Sequence, residues 1–318
     1  MGKFVLKRTL MLIPTLLIIL TLVFALMRMV PGSPVWGLLE GEEGVTLERV
    51  EEVETEMGFN DPILVQYGRY LKEIVSGNWG MSYFNQKGVF VNMVSVWEPT
   101  LIIAIYATII TVVLAIPVGI LSATHRNSLL DYTVSSLSTA TMCVPGFCLG
   151  LLLCWVFAYK LKLFPVVGYK FSLAKAGFWK AIWNLTLPAF ALGLNQVASL
   201  ARYTRSCMLD VMNQDYIRTA RAKGLSRGKV YYKHALKNTM AVVGTVIANS
   251  IAALLGGAAV TEKVFNIRGM GTLAVDSLGR RDYSQEQAIV LFFAMVTLVV
   301  NLLMDIFYKL MDPRIQYE

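Results

Sequence analysis

The sequence predicts an all-α integral membrane protein with six transmembrane helices and both termini in the cytoplasm. Of its 318 residues, 56% are hydrophobic and only 16% are charged, whereas soluble domains carry about 25% charged residues. Its long apolar stretches reach the roughly 20 residues that a helix needs to cross about 30 Å of hydrocarbon. Its Lys and Arg residues also cluster on one side of these stretches, as the positive-inside rule requires.

The apolar stretches define six predicted spans, at residues 9–30, 100–124, 132–159, 185–200, 239–261 and 288–304. The first follows Lys3, Lys7 and Arg8, so a cleaved signal peptide is its rival. Its apolar run is too long for one, and "MRMVPGSP" has no A-x-A-like cleavage site. We therefore expect a retained membrane helix. The fourth span is short by itself, but its helix can continue through Ala201 into the basic segment.

The distribution of charge predicts the orientation. With the N-terminus inside, the inside segments carry 15 Lys and Arg against six Asp and Glu, and the outside segments carry 13 against 15. One outside loop does not follow the positive-inside rule, because it holds five lysines: Lys160, Lys162, Lys170, Lys175 and Lys180. The denser basic cluster decides the orientation, and an even number of spans then places both termini in the cytoplasm.

Three regions follow from this topology. Residues 1–30 hold the N-terminal segment and the first span, and residues 31–98 form an extracytoplasmic helical lobe. Residues 99–318 form a five-helix core with a cytoplasmic loop at 207–238. In the lobe, a helical pattern ends at Gly58, and aromatic side chains indicate packing rather than a solvated connector: Tyr67, Tyr70, Trp79, Tyr83 and Phe84.

The apolar cores of the predicted spans contain no Asp, Glu, Lys, Arg or His, which disfavours proton- or ion-coupled transport, and Arg28 lies at the end of the first span. Neutral polar residues there are candidates for a translocation path or for hydrogen bonds between helices: Asn195, Gln196, Ser199, Asn249 and Ser250. We expect no catalytic residue and no metal site. The four cysteines fit small packing residues, the two histidines are far apart, and "GLSRGK" lacks the spacing of a phosphate-binding loop.

The basic segment "YIRTARAKGLSRGKVYYKHALKN" holds the most distinctive pattern. Asp215 is a predicted N-cap for a helix from Tyr216, and Gly224 suits the left-handed position that ends it. Ser226 can cap a second helix, residues 227–238, that leads into the fifth span. A two-turn helix is unstable alone in water. Its apolar strip, Tyr216, Ile217 and Ala220, is too small for membrane insertion, so we expect it to dock on another protein.

This segment resembles the cytoplasmic coupling loop, or EAA motif, of ABC importer permeases, in the dipeptide/oligopeptide/nickel permease family. The resemblance covers nearly the whole chain. It includes "LKRTLMLIPTLLIILTLVFALMRMVPGSP", "DPILVQYGRYLKEIVSGNWGMSY", "LTLPAFALGLNQVASLARYTRSCMLDVMNQDYIRTARAKGLS", "LLGGAAVTEKVFNIRGMGTLAVDSLGRRDY" and the final "DPRIQY". The Glu-Ala-Ala of the general pattern reads Arg218, Thr219 and Ala220 here, as in peptide-type permeases. A Trp-Pro-Gly common after the fifth span reads Ile267, Arg268 and Gly269.

The resemblance implies a type I ABC importer permease in a bacterial or archaeal cytoplasmic membrane. It implies a second permease subunit, two cytoplasmic ATPases that use ATP and Mg, and an extracytoplasmic binding protein. This chain would bind no cofactor and would not be an enzyme. The residues implied to dock the ATPase are Asp215, Tyr216, Arg218, Ala220, Arg221, Ala222, Gly224 and Leu225.

Di- or oligopeptides are the cargo that the resemblance implies most directly, and nickel or another metal chelate is the alternative. Two other classes of function remain as hypotheses. A passive channel would need neither a docking helix nor an ATPase. A membrane enzyme with a cytoplasmic active site would need acid–base pairs or metal ligands, which the sequence lacks.

Overall fold

The computed structural model describes residues 2–30, 32–33, 35–39, 44–165 and 177–311, and these residues form helices joined by short turns. The all-α prediction is confirmed. In chain order the helices are α1 (Gly2–Met29), α2 (Val35–Leu38), α3 (Leu47–Glu56), α4 (Ile63–Val75), α5 (Val89–Val94), α6 (Trp97–Thr124), α7 (Leu129–Cys143), α8 (Gly146–Leu153), α9 (Phe178–Met212), α10 (Asp215–Ala222), α11 (Leu236–Val264), α12 (Met270–Gly279) and α13 (Tyr283–Met311). A π-helical segment, Cys154–Lys160, continues α8, and another, Lys229–Ala235, leads into α11.

Four helical segments of the described chain are long and apolar enough to cross a membrane: Val5–Met29, Trp97–Thr124, Val243–Val264 and Tyr283–Ile306. A fifth candidate is a bent pair, Leu129–Cys143 with Gly146–Lys160, whose two parts meet at 103°. The prediction of one continuous helix over 132–159 is therefore wrong. Pro145 is the physical reason, because a proline disfavours helical backbone at the residue before it, and Val144 is extended at φ −91° and ψ 126°.

The predicted fourth span, 185–200, lies inside α9, a helix of 35 residues. At 1.5 Å per residue α9 is about 52 Å long, which exceeds the thickness of the hydrocarbon core. Asn184, Asn195 and Gln196 interrupt its apolar sequence, and α9 is not among the helices of the described chain that are apolar enough to span. The number of six spans and the cytoplasmic termini stay predictions.

The chain divides into two compact units, residues 1–98 with 268–298 and residues 99–267 with 299–318. In the first unit, α5, α12 and α13 share a core that contains Val89, Met93, Met270 and Ile289. Thr46 caps α3 through its hydroxyl, which accepts the Arg49 amide at 3.3 Å.

The same unit holds the helix stop predicted from the sequence. Gly58, at φ +72°, follows α3 where the sequence pattern places a stop. Tyr67 and Tyr70 of α4 pack their rings on Phe24 of α1, with ring centroids 5.3 and 5.6 Å apart.

Small residues let helices approach closely in the second unit. A β-carbon on Gly119 of α6 would lie 2.6 Å from the Ala201 carbonyl oxygen and 2.6 Å from Thr204 Cβ, both on α9. Farther along the same two helices, a β-carbon on Gly193 would lie 3.1 Å from the Ala107 carbonyl oxygen. The α6–α9 contact therefore depends on glycine at two levels, which is typical of tightly packed membrane helices.

Candidate coupling surface

Helix α10 begins one residue earlier than the sequence pattern predicts. The Gln214 carbonyl accepts the amides of Ile217 and Arg218 at 3.1 and 3.2 Å, and Gln214 has extended backbone. Gln214 is therefore the N-cap, and the prediction that Asp215 holds this position is wrong. Asp215 is the first helical residue. Its carboxylate still lies at the positive end of the helix dipole, and Arg218 Nη1 lies 3.4 Å from it on the exposed surface.

Gly224 ends α10 in the left-handed conformation, at φ +73°, and its amide donates to the Arg221 carbonyl at 3.0 Å. No atom lies within 4 Å of the position that a β-carbon would take there. The requirement for glycine is thus a matter of backbone conformation and not of space. After this turn the chain is helical again from residue 227, and the Ser226 carbonyl accepts the Val230 amide at 3.1 Å.

The apolar strip of α10 packs on the chain's own helices. Ile217 and Ala220 are 0% and 7% exposed. Their hydrophobic cluster contains Ile120 and Ala123 of α6, Met208 of α9, and Val230 and Ala235 of the π-helical segment. The expectation that this strip is offered to another protein is therefore wrong for Ile217 and Ala220. Burying Ile217 contributes about 1.5–3 kcal/mol to the placement of α10.

Tyr216 makes a second link from α10 to the following helix. Asn238 Nδ2 lies 2.7 Å from Tyr216 Oη, so the start of α10 is joined to the first turn of α11. The tyrosine ring remains 42% exposed.

The outward face of α10 is mostly polar and basic. The exposed residues of this segment, which we call the coupling surface, are Asp215, Tyr216, Arg218, Thr219, Arg221, Ala222, Lys223 and Gly224. Leu225 is half-buried at the edge of the inner cluster. Of the eight predicted docking residues, six therefore lie on the coupling surface, and Ala220 and Leu225 support it from beneath. The role of all eight residues in docking an ATPase stays a prediction.

An ion pair that sequence reasoning missed holds the helix that leads to α10. Arg205 of α9 binds Asp131 of α7 through Nε and Nη2, at 2.6 and 2.7 Å from the two carboxylate oxygens. Ser122 Oγ of α6 donates to the same carboxylate at 2.5 Å, and the Asn127 amide donates to it at 3.0 Å. Asp131 is 3% exposed. This cluster, the Asp131 anchor, joins three helices of one unit, and no sequence signal links residues 74 positions apart.

A buried carboxyl group also lies at the end of a candidate span. Glu262 of α11 is 0% exposed, and Thr100 Oγ1 of α6 donates to its Oε1 at 2.5 Å. The predicted span ends at residue 261, whereas the structure extends the candidate span to Val264. The sequence pattern therefore ended this span three residues too early and left out Glu262 and Lys263, which lie at its end and not in its apolar core.

The five predicted path residues lie on α9 and α11, which share a hydrophobic cluster containing Leu200, Ala201 and Val243. On α9, Asn195, Gln196 and Ser199 are half-buried, and Asn195 Oδ1 is a buried acceptor without a hydrogen-bond partner among the described residues. On α11, Asn249 is exposed, while Ser250 is buried and donates to the Val246 carbonyl at 2.8 Å. Ser250 is therefore satisfied within its own helix, and Asn195 has the clearest unused polar atom.

Two family models match the chain and together cover nearly all of it. "Binding-protein-dependent transport system inner membrane component" matches residues 115–317, and the N-terminal model of these membrane components matches residues 1–104. The coupling surface and the Asp131 anchor lie in the first of these regions.

Curated relatives match over the full length of both chains. The chain is 37% identical to the oligopeptide transport system permease protein AppB of Bacillus subtilis (strain 168). It is 36% identical to the dipeptide transport system permease protein DppB of Escherichia coli (strain K12). It is 38% identical to the glutathione transport system permease protein GsiC of Salmonella paratyphi A.

A solved structure has a similar fold. A chain of the MetNI methionine ABC transporter in inward-facing conformations aligns with a TM-score of 0.53, covering 69% of this chain and 96% of that one. The two are 15% identical, so this likeness concerns the fold alone. The family models and the full-length relatives show that the chain belongs to the family of inner membrane components of binding-protein-dependent transport systems.

Proposed function

We propose that this chain is the permease subunit of an ATP-driven importer and that α10 is its coupling helix. One observation carries the proposal: α10 is built into its own subunit on one side and exposes a basic, polar face on the other. A helix that served only as a connector would not need a buried face of this kind. Because α10 is packed on its own subunit, it can transmit the movement of a bound partner to the helices beneath it.

The transmission would run through short, packed connections. Only two residues separate the end of α9 at Met212 from the start of α10 at Asp215. Ile217 and Ala220 pack on α6, α9 and the segment that leads into α11. When two ATPases bind ATP and close, α10 would therefore move together with these helices, and the path between them would open toward the outside. Alternating access follows from this coupled motion.

The remaining subunits follow from the same proposal. A second permease, either a different chain or a second copy, would complete the path, and an extracytoplasmic binding protein would deliver the substrate. ATP and Mg would act in the ATPases, so this chain would hold no cofactor and perform no catalysis. Six spans with both termini in the cytoplasm would place the coupling surface against the ATPases.

We propose di- or oligopeptides as the cargo. The names of three full-length relatives specify oligopeptide, dipeptide and glutathione transport, and all three cargoes contain peptide bonds. The polar side chains of α9 and α11, Asn195 above all, would offer neutral hydrogen-bonding groups to amides that pass between the helices.

Reconstitution tests the proposed function. The chain and its partner subunits would be placed in proteoliposomes, and uptake of labelled trialanine would be followed with ATP and with a non-hydrolysable ATP analogue. We expect uptake with ATP and no uptake with the non-hydrolysable analogue. Uptake without ATP would support a passive channel. ATP-driven uptake of nickel chelates but not of trialanine would replace the proposed cargo with the alternative.

A further inference from the structure

A half-open cavity of about 370 Å³ lies within the compact unit of residues 1–98 and 268–298. Its walls come from the end of α1, the turn after α3, α4, residues 80–86 and the start of α13. Its volume falls in the range of small-ligand pockets, about 300–1,000 Å³. The coupling surface belongs to the other compact unit, so this cavity needs an explanation of its own.

Several residues that line this cavity carry buried polar atoms without partners. Among the described residues, seven side-chain polar atoms are buried without a hydrogen-bond partner, and three of them belong to lining residues: Arg28 Nε, Gln66 Oε1 and Tyr70 Oη. Gln66 is 9% exposed. Its amide nitrogen donates to the carbonyls of Phe59 and Asp61, both at 2.7 Å, which fixes the orientation of the group and leaves its oxygen free. Buried polar groups in proteins are normally satisfied.

Two opposite charges line the same cavity without an ion-pair partner among the described residues. The Arg28 guanidinium lies 5.3 Å from the Phe24 ring centroid and 4.8 Å from that of Phe59, so the two rings hold it in place. The second lining arginine, Arg69, is already bound to Asp61 at 2.5 Å. The unpaired acid is Glu73, on α4.

Tyr70 supplies a neutral hydroxyl beside these charges. Burial raises the pKa of Tyr70 to about 12, so its hydroxyl stays protonated and can donate as well as accept a hydrogen bond. The cavity thus offers a cation, an anion, an amide oxygen and a neutral hydroxyl.

We infer that this cavity binds the ends of a short zwitterionic peptide, with the carboxylate on Arg28 and the ammonium group on Glu73. Guanidinium groups bind carboxylates through paired hydrogen bonds, and Gln66 Oε1 and Tyr70 Oη match a peptide amide between the two ends. The inference rests on the proposed function in that peptides are the cargo. Most of its lining residues belong to the region predicted to be extracytoplasmic, residues 31–98, so peptide would reach the site from that side.

Changes on the ligand and on the protein test this inference together. The complex of permeases and ATPases, without the binding protein, would be purified in detergent, and binding of trialanine, trialanine amide and N-acetyl-trialanine would be measured by equilibrium dialysis. Removing one charged contact weakens binding by roughly tenfold to a hundredfold. We expect losses of that size for Arg28→Gln and Glu73→Gln with trialanine. Arg49→Gln and Glu51→Gln on α3, which do not line the cavity, are matched controls.

Pairing each ligand change with one variant tests which residue contacts which end of the peptide. Amidation of the carboxylate should weaken binding to the unmodified complex but cause no further loss in Arg28→Gln, and acetylation should behave in the same way toward Glu73→Gln. Because the ligand changes leave the protein intact, they remain informative even if a variant folds poorly. Arg28→Lys keeps the charge and should retain part of the affinity.

The inference is overturned if trialanine shows no saturable binding, or if its binding is indifferent to both substitutions. It is also overturned if amidation and acetylation have no effect. Trialanine uptake by the complete importer distinguishes this inference from the proposed function. ATP-driven uptake without binding at this cavity overturns only the inference. The absence of ATP-driven uptake overturns the proposed function.

Discussion

Arg205 and Asp131 form a bidentate ion pair, with nitrogen–oxygen distances of 2.6 and 2.7 Å, that fastens α9 to α7 shortly before α10 begins. The pair lies largely out of solvent, since the side chains are 27% and 4% exposed. Removing one member of a buried pair leaves the other charge uncompensated, which makes this contact a sensitive point in the helix bundle.

We expect Asp131→Asn to lower the free energy of unfolding by about 3 kcal/mol, because Arg205 would lose its counter-charge while it stays largely buried. Thermal unfolding of the purified chain measures the effect. Asp210→Asn, an exposed carboxylate on α9, is the matched control and should change little. Equal melting temperatures for the two variants would show that the anchor does not hold the bundle.

Gly224→Val should disturb coupling while insertion in the membrane persists. A side chain in the left-handed region costs about 1–2 kcal/mol and would redirect the segment after α10. Gly228→Val is the control, because Gly228 has helical backbone at φ −60° and open space around it. ATPase co-purification and uptake should fall for Gly224→Val alone. Normal uptake by this variant would contradict the coupling role of the turn.

Ala220→Trp and Ala222→Trp should fail in different ways, since the inner residue is buried and the outer one is exposed. Overpacking at Ala220 should lower the unfolding free energy by about 1–3 kcal/mol or more. Ala222→Trp should leave stability unchanged and should reduce ATPase co-purification by obstructing the coupling surface. Full co-purification with Ala222→Trp would show that the partner docks elsewhere.

Gly119→Ala should destabilise the second compact unit, because the new β-carbon would meet α9 backbone at 2.6 Å and the helices would have to separate. An overpacking cost of about 1–3 kcal/mol is expected. Gly256→Ala in α11 meets no atom within 4 Å, and it should stabilise its helix by up to about 1 kcal/mol. The difference between the two melting temperatures is the measurement, and a Gly119→Ala variant as stable as Gly256→Ala would refute close packing at this site.

Local patterns in the sequence predicted local structure well and long-range contacts poorly. The glycine that ends α10 and the stop at Gly58 follow from backbone chemistry that a few residues determine. The first helical residue of α10 was misplaced by one position, because a backbone carbonyl, at Gln214, accepts the first bonds in place of the expected side-chain cap.

The candidate site shows most clearly that local sequence patterns do not predict long-range contacts. Periodicity placed Ile217 and Ala220 on one face of α10 but could not say what covers that face, since Ile120 and Met208 come from distant parts of the chain. The Asp131 anchor stayed invisible for the same reason. The break at Val144 could have been read from the proline that follows it, but the high apolarity of residues 132–159 outweighed that signal.

The inward packing of Ile217 and Ala220 has a consequence for the life of the subunit before assembly. Because the chain's own helices already cover Ile217 and Ala220, these two side chains do not depend on a partner protein to be buried. On the proposed function, the subunit would therefore present a fully formed α10 before any ATPase binds it.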